Sequence, residues 1–259
     1  MKKLLLVLCF LVLSTSSAFA KDKKIIVGAS PFPHKEIVLA AKPALERAGY
    51  TLEVKDFSDY VQPNIALDEG SLDANFFQHE PYLLNFNKER KLTLVAVARV
   101  HIEPLGFYSK KIKSLDELKS GDIVAVPNDP TNGTRGLRLL EANGLITLPE
   151  GELVAAKDIL ENPKKLKIME LEAALLPRTM ADVTAAVINT NFASEAGLYP
   201  TRDAIVMEPK DSPYTNVLVV RAEDKDSEAT KALAEAMNSP EVKAFIETEL
   251  APKGIVPAF

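Results

Sequence analysis

The first candidate for binding chemistry is Arg135, which follows a strand-like run and a polar turn. Residues 124–126 form a short apolar run that predicts a buried strand, and turn-forming residues occupy positions 127–133. A helical pattern begins near Thr134, so Arg135 is expected close to a helix N-terminus, where N–H groups and the helix dipole favour an anion. A guanidinium also matches a carboxylate in shape and charge. A surface loop whose arginine makes a solvated salt bridge explains this stretch equally well.

A second group of candidate side chains lies where another predicted strand meets a helix. A strand predicted over residues 72–77 is joined to a helix predicted over residues 81–91 by a segment that contains Phe77 and His79. Aromatic rings and an imidazole at such a junction could form one wall of a ligand site. For His79 alone, a pair with Glu80 at the helix start is the simpler interpretation.

Two asparagines occupy similar positions at strand ends. Asn189 follows a strand predicted over residues 183–188, and Asn216 lies at the start of a strand predicted over residues 215–221. An asparagine offers both a hydrogen-bond donor and an acceptor, as a polar ligand requires. Either side chain could instead cap a helix or a turn.

Several classes of protein are disfavoured by the sequence. The formal net charge is −5 and no basic patch stands out, so we expect no nucleic-acid partner. The three histidines are His34, His79 and His101, none in an HExxH pattern, so we expect no metal site. There is no G-x-S-x-G elbow, P-loop or G-x-G-x-x-G motif. We therefore predict no catalytic residue and no cofactor, and a protein that is not an enzyme.

The N-terminus predicts export. Residues 1–20 combine two lysines, an apolar run over residues 4–13 and a small-residue ending, which is typical of a signal peptide cleaved after Ala20. The apolar run is shorter than the roughly 20 residues that cross a bilayer. Cys9 is the only cysteine, and the residues before it lack the small side chains of a lipobox. We therefore expect a soluble periplasmic protein without a lipid anchor.

The order of predicted elements indicates an α/β protein with two lobes. Strands and helices alternate in a way that predicts parallel sheets with helices on both faces, and the alternation breaks near residues 107 and 203. We expect one lobe from residues 21–107 and 204–259, and a second from residues 108–203. Because the chain would then cross twice, this is the bilobal, type II-like fold of periplasmic binding proteins, with the ligand between the lobes.

The sequence also resembles a known family, the methionine-binding proteins of bacterial ABC importers (the NLPA lipoprotein family). The resemblance runs through nearly the whole mature chain in order. The matching segments are residues 59–64, 73–83, 108–115, 126–131, 161–164, 186–190 and 212–214.

The resemblance implies a role for each of six residues. Tyr60, Phe77 and His79 would surround the thioether side chain of a bound methionine, and Arg135 would hold its α-carboxylate. The polar groups of the ligand backbone would be bound by Asn189 and Asn216. Tyr60, Phe77, His79 and Asn216 would lie on the first lobe, and Arg135 and Asn189 on the second.

The function that the resemblance implies is capture of L-methionine and its delivery to the membrane permease of an ABC importer, by a protein that we expect to be a monomer. The implied head-group residues include no carboxylate for the ligand ammonium. Methionine-containing dipeptides therefore remain an alternative, and D-methionine is also open. An enzyme on the same fold, with His79 as its base, and a surface adhesin or antigen are more distant alternatives.

Overall fold

The computed structural model describes residues 23–209 and 211–259, and the predicted signal peptide lies outside these residues. The described chain contains two β-sheets, each flanked by helices. The strands are β1 Lys23–Ala29, β2 Tyr50–Asp56, β3 Ala74–His79, β4 Leu94–Ile102, β5 Gly106–Tyr108, β6 Ile123–Pro127, β7 Lys167–Leu171, β8 Ala185–Ile188, β9 Val206–Met207, β10 Thr215–Arg221 and β11 Val256–Pro257. The α-helices are α1 Glu36–Arg47, α2 Gln62–Asp68, α3 Glu80–Arg90, α4 Pro130–Ala142, α5 Leu176–Thr179, α6 Thr190–Glu195, α7 Pro200–Asp203, α8 Glu228–Met237 and α9 Pro240–Phe245.

The first sheet has the strand order β11-β4-β10-β3-β1-β2. Strand β1 is parallel to β2 and β3, but β10 runs antiparallel between β3 and β4, and β11 is antiparallel to β4. The expectation of a purely parallel sheet is therefore wrong. The returning β10 places Asn216 opposite His79 on one side and His101 on the other.

The second sheet has the strand order β7-β6-β8-β5-β9. Strands β7, β6 and β8 are parallel, whereas β5 pairs antiparallel with both β8 and β9. Apolar clusters lie on both faces of each sheet, as expected for an α/β protein with covered sheets. The chain thus folds into two α/β lobes.

The crossings between the sheets define where the lobes divide. The expected boundaries after residues 107 and 203 would put β9 and part of β5 in the first lobe, but both strands lie in the second sheet. Strands of two or three residues leave no hydrophobic periodicity to detect. We propose that the crossovers are residues 103–105 and 208–214.

Helix α4 begins earlier than its predicted start at Thr134. Pro130 occupies the first turn, where its missing N–H costs nothing, and the Asp129 side chain caps the helix by accepting from the Asn132 N–H at 2.9 Å. A Cβ on Gly133 would lie 2.9 Å from the carbonyl oxygen of Pro127, so only glycine lets the helix pack this closely on the strand end. Arg135 therefore lies in the second turn of α4, not at its N-terminus.

Among the described residues, none of the helices combines the length and the apolar character needed to cross a bilayer.

Candidate functional site

The structure forms a cavity between the two lobes, where β3, β6 and β8 end. All six residues that the sequence singled out line it. The complete lining is His34, Tyr60, Phe77, Gln78, His79, Tyr82, Glu103, Asn132, Arg135, Asn189, Thr190, Asn191 and Asn216.

Arg135 is buried and forms an ion pair that the sequence did not reveal. Its Nε donates to both carboxylate oxygens of Glu208 at 2.8 and 3.0 Å, and its Nη2 donates to Glu208 at 2.5 Å and to the Glu103 carbonyl at 2.7 Å. The Tyr214 ring lies 4.3 Å from the guanidinium carbon. Burial alone would lower the pKa of Arg135, but the Glu208 carboxylate raises it above its ordinary value, so the guanidinium stays charged.

This arrangement corrects the second interpretation of Arg135, the solvated salt bridge on a surface loop. The arginine does form a salt bridge, but a buried one, since only 3% of its side chain is exposed. Bonds among the described residues occupy Nε and Nη2, which leaves Nη1 for a ligand carboxylate. Glu208 also accepts from the Leu105 N–H at 2.9 Å, so it joins both crossovers to the arginine.

His79 is a neutral residue that connects the lobes. Its Nδ1 accepts from the Tyr82 N–H at 3.1 Å, which caps α3, and its Nε2 therefore carries the proton and donates to Asn132 Oδ1 at 3.0 Å. The same Oδ1 accepts from Asn189 Nδ2 at 2.8 Å. Burial, with a smaller contribution from Arg135, lowers the pKa of His79 to about 3. His79 does lie at the helix start, where it caps α3 through a ring nitrogen, but the predicted pair with Glu80 does not form, and Glu80 faces Arg99 instead.

A second hydrogen bond between the lobes closes the cavity on its aromatic side. The Tyr60 hydroxyl donates to Asn191 Oδ1 at 2.5 Å. The Tyr60 ring lies 6.0 Å from that of Phe77 and 5.8 Å from that of Tyr82, measured between centroids. One side of the cavity is therefore a cluster of aromatic rings, in which Phe77 is only 3% exposed.

The opposite side of the cavity is polar. Asn216 Oδ1 faces His34 Nε2 at 3.0 Å. Asn189 donates through Nδ2, while its buried Oδ1 has no hydrogen-bond partner among the described residues. Such an orphaned acceptor is costly in a finished core and is typical of a site that a ligand completes. The cavity as a whole suits a molecule with an apolar end and a charged or polar end.

Sequence reasoning missed several lining residues and their supports. Glu103 and Glu208 lie in the irregular segments between the sheets, and His34 lies in a short helical turn before α1, where no motif marked it. Asn132 lay inside the polar turn before Arg135 but was not chosen, because its role depends on contact with His79 from the other lobe.

Three buried residues have the chemistry of metal ligands, namely His34, His101 and Glu103, whose donor atoms lie within 4.8 Å of one another. The expectation of no metal site rested only on motif spacing. Both histidines, however, direct Nε2 at one oxygen, Glu103 Oε1, at 3.2 and 2.7 Å. Neither Nδ1 finds an acceptor in the described chain, whereas metal-bound histidines almost always donate through the second nitrogen. The contacts therefore fit a hydrogen-bonded cluster better than a metal site.

The three histidines predict that stability falls in mild acid. Burial lowers the pKa of His34 to about 4 and the pKa values of His79 and His101 to about 3. The unfolded chain takes up protons below about pH 6.5 that the native state excludes. Stability is then full above that pH and is lost towards pH 4, by up to about 1.4 kcal/mol per pH unit for each histidine. Burial raises the pKa of Glu103, whose protonation in the native state offsets part of this loss.

Urea unfolding of ligand-free protein between pH 5 and 7 measures this effect. His79→Gln removes one titrating group, so the slope of stability against pH should fall by about a third, whatever the variant's stability at pH 7. A wild-type stability that does not change over this range would contradict the prediction.

Two α/β lobes, two crossovers and a cavity closed by contacts between the lobes define a bilobal solute-binding fold. The model of the NlpA lipoprotein family matches residues 25–259, so the chain belongs to that family. It is 50% identical over 225 residues to outer membrane lipoprotein 3 of Mannheimia haemolytica, covering 86% of each chain. It is 49% identical over 222 residues to the D-methionine-binding lipoprotein MetQ of Escherichia coli K12, covering 84% of this chain and 81% of the relative.

Solved structures agree with the fold. A nutrient-binding protein from Burkholderia cenocepacia, solved bound to methionine, superposes with a TM-score of 0.88 at 48% identity, covering 91% of this chain and all of that one. The prediction of the fold and the family is confirmed.

The prediction of a released protein without a lipid anchor is wrong. The matching family is one of lipoproteins, and the relatives from Mannheimia and Escherichia are both named lipoproteins. The prediction rested on the bulky residues that precede Cys9, which is weaker evidence than membership of a lipoprotein family. Cys9 lies outside the described residues.

Proposed function

We propose that this chain is the substrate-binding protein of an ABC importer and captures L-methionine between its lobes. The observation that carries the proposal is the two-sided cavity, in which aromatic rings face a buried arginine and two asparagines. Support comes from the relatives, among them a methionine-bound structure and a D-methionine-binding lipoprotein. In this proposal the six lining residues predicted from sequence all contact the ligand.

The aromatic side suits a thioether. Methionine is flexible and polarizable, and each sulfur–aromatic contact contributes about 0.3–1.5 kcal/mol. Tyr60, Phe77 and Tyr82 supply rings around this end of the cavity. His79 adds a fourth ring, and because it is neutral, no charge has to be desolvated beside the apolar tail.

The polar side suits an amino-acid head group. A buried carboxylate must be paired because an unpaired buried charge is costly. Nη1 of Arg135 takes no part in the ion pair with Glu208, so it is available to donate to the ligand carboxylate. Asn216 and Asn189 add amide groups beside it.

Closure follows from the distribution of these residues between the lobes. Tyr60, Phe77, His79 and Asn216 belong to the first sheet and its helices, while Arg135 and Asn189 belong to the second. A ligand that contacts both sets at once binds the closed form more tightly and so shifts the protein towards it. The closed form is the one that we expect the permease to recognise, and we expect the receptor to act as a monomer.

The contacts of His79 argue against an enzyme on this fold. A general base needs a free nitrogen and a pKa near the working pH. Both ring nitrogens of His79 are engaged, and burial lowers its pKa to about 3. A receptor is therefore the better-supported function.

A thermal-shift screen of unfolded and refolded protein tests the proposal, since refolding removes any ligand that copurifies. At a hundredfold excess over the dissociation constant, a ligand adds about 2.7 kcal/mol. For a chain of this size that raises Tm by roughly 5–10 °C. L-methionine should give such a shift and L-alanine should not, with D-methionine and glycyl-methionine deciding the alternatives. The absence of a shift from every methionine compound would contradict the proposal and favour an adhesin.

A further inference from the structure

The carboxylate of Glu103 lies in the cavity, and the roles proposed for the six predicted residues do not explain why it is there. Glu103 follows the last residue of β4 and lies in the first crossover, two residues before Leu105. It is 6% exposed and lines the cavity. The proposed head-group residues include no anion for an α-ammonium, so a buried carboxylate on this wall needs an explanation.

Three hydrogen-bond donors hold this carboxylate in place. Oε1 lies 2.7 Å from His101 Nε2 and 3.2 Å from His34 Nε2. The Nδ1 atoms of both rings lack hydrogen-bond partners among the described residues, which places the protons on Nε2. His101 donates to the carboxylate, whereas the His34 proton is shared between Glu103 Oε1 and Asn216 Oδ1, which lies 3.0 Å from His34 Nε2. The backbone N–H of Asn191, from the other lobe, also donates to Glu103. Burial raises the pKa of Glu103 above its ordinary value, and His34, Arg135 and the Asn191 N–H offset part of that rise. A ligand ammonium beside the carboxylate would favour its ionised form further.

The position of Glu103 relative to Arg135 fits an amino-acid head group. The Arg135 Nη2 donates to the backbone carbonyl of Glu103 at 2.7 Å, so the two residues are direct neighbours. An α-amino acid carries its ammonium and carboxylate on adjacent carbon atoms, and its two partners must be neighbours as well. With the histidines neutral, Arg135 and Glu103 are the lining residues that can pair with the charged groups of a ligand.

The two asparagines divide between these charges. Asn216 Oδ1 faces His34, so its amide N–H groups are the ones left for a ligand carboxylate. Asn189 donates through Nδ2 to Asn132 Oδ1, so the unpartnered Oδ1 of Asn189 is left as an acceptor. An ammonium placed between Asn189 Oδ1 and Glu103 would satisfy both.

We propose that Glu103, positioned by His34 and His101, is the anionic partner of the ligand's α-ammonium and selects amino acids over deaminated analogues. This inference rests on the proposed function. It assigns to Glu103 a role in specificity, and to the two histidines a positioning role through the carboxylate.

Glu103→Gln tests the inference because it removes the charge but keeps the shape and the oxygen that the histidines contact. Calorimetry on refolded protein would compare L-methionine with 4-(methylthio)butanoate, which is methionine without its amino group. A charged hydrogen bond corresponds to about a 10- to 100-fold change in affinity. We expect the variant to lose that much affinity for methionine and to bind the butanoate as tightly as wild type does, or more tightly.

The matched control is Glu80→Gln, which removes a partly exposed carboxylate beside His79 that does not line the cavity. It should leave both affinities within about twofold. If Glu103→Gln fails to fold, Glu103→Asp keeps the charge but shortens its reach, and it should show a selective loss for methionine. Equal losses for both ligands, or no loss for methionine, would overturn the inference. Wild-type protein that binds neither ligand would refute the proposed function and this inference with it.

Discussion

Arg135→Ala should abolish most of the affinity for methionine. The ligand carboxylate would lose its cation while the Glu208 carboxylate stays buried nearby, and truncating one partner of a buried charge pair costs about 2–5 kcal/mol in binding. That corresponds to a dissociation constant raised by roughly 30- to 5,000-fold. Calorimetric titration of refolded variant protein measures the change directly.

The control for this experiment lies one turn further along α4. Arg138 pairs with Glu141 at 2.7 Å, but both side chains are about 30% exposed and neither lines the cavity. An exposed pair of this kind contributes about 0–1 kcal/mol to stability. Arg138→Ala should therefore bind methionine as wild type does. Near-native methionine affinity in Arg135→Ala would refute the role assigned to Arg135.

Glu208→Ala should be among the most destabilising substitutions at the site, although Glu208 does not line the cavity. It would leave the Arg135 guanidinium buried without its carboxylate and the Leu105 N–H without its acceptor. Breaking one partner of a buried ion pair costs about 3–5 kcal/mol of unfolding free energy. Urea unfolding of ligand-free protein at pH 7 would measure this loss.

A neutral double variant separates stability from binding. Arg135→Met combined with Glu208→Gln removes both charges together, and replacing a buried ion pair by neutral side chains is often close to neutral for stability. We expect this variant to recover most of the stability that Glu208→Ala loses, while methionine affinity stays as low as in Arg135→Ala. Stability losses that simply add in the double variant would show that the two residues do not act as a pair.

The fold was largely predictable from the sequence because it depends on local patterns. Apolar runs separated by turn residues identified the strands, and their alternation with helices predicted two α/β lobes. The predictions that were wrong concern features that depend on pairing between distant parts of the chain. Strand β10 runs antiparallel because it returns from the second lobe, and β9 is too short to carry a pattern.

The candidate site was predictable only in part. Arg135, His79 and Asn189 lie at or beyond the ends of strands, where ligands of α/β proteins bind, and Asn216 lies at the start of one, so the sequence could mark them. Glu103 and Glu208 lie in the crossovers, and each contacts Arg135, which is more than 30 residues away in the chain. Burial and pairing, which give these two carboxylates their importance, exist only in the folded chain.

The central claim is that the cavity between the lobes binds methionine, and calorimetric titration of the refolded wild-type chain tests it most directly. We expect one molecule of L-methionine to bind per chain with a negative heat-capacity change, because an apolar side chain is buried. The same titration with D-methionine decides the preferred enantiomer. Heat-silent titrations with both enantiomers, on protein shown to be folded, would contradict the account.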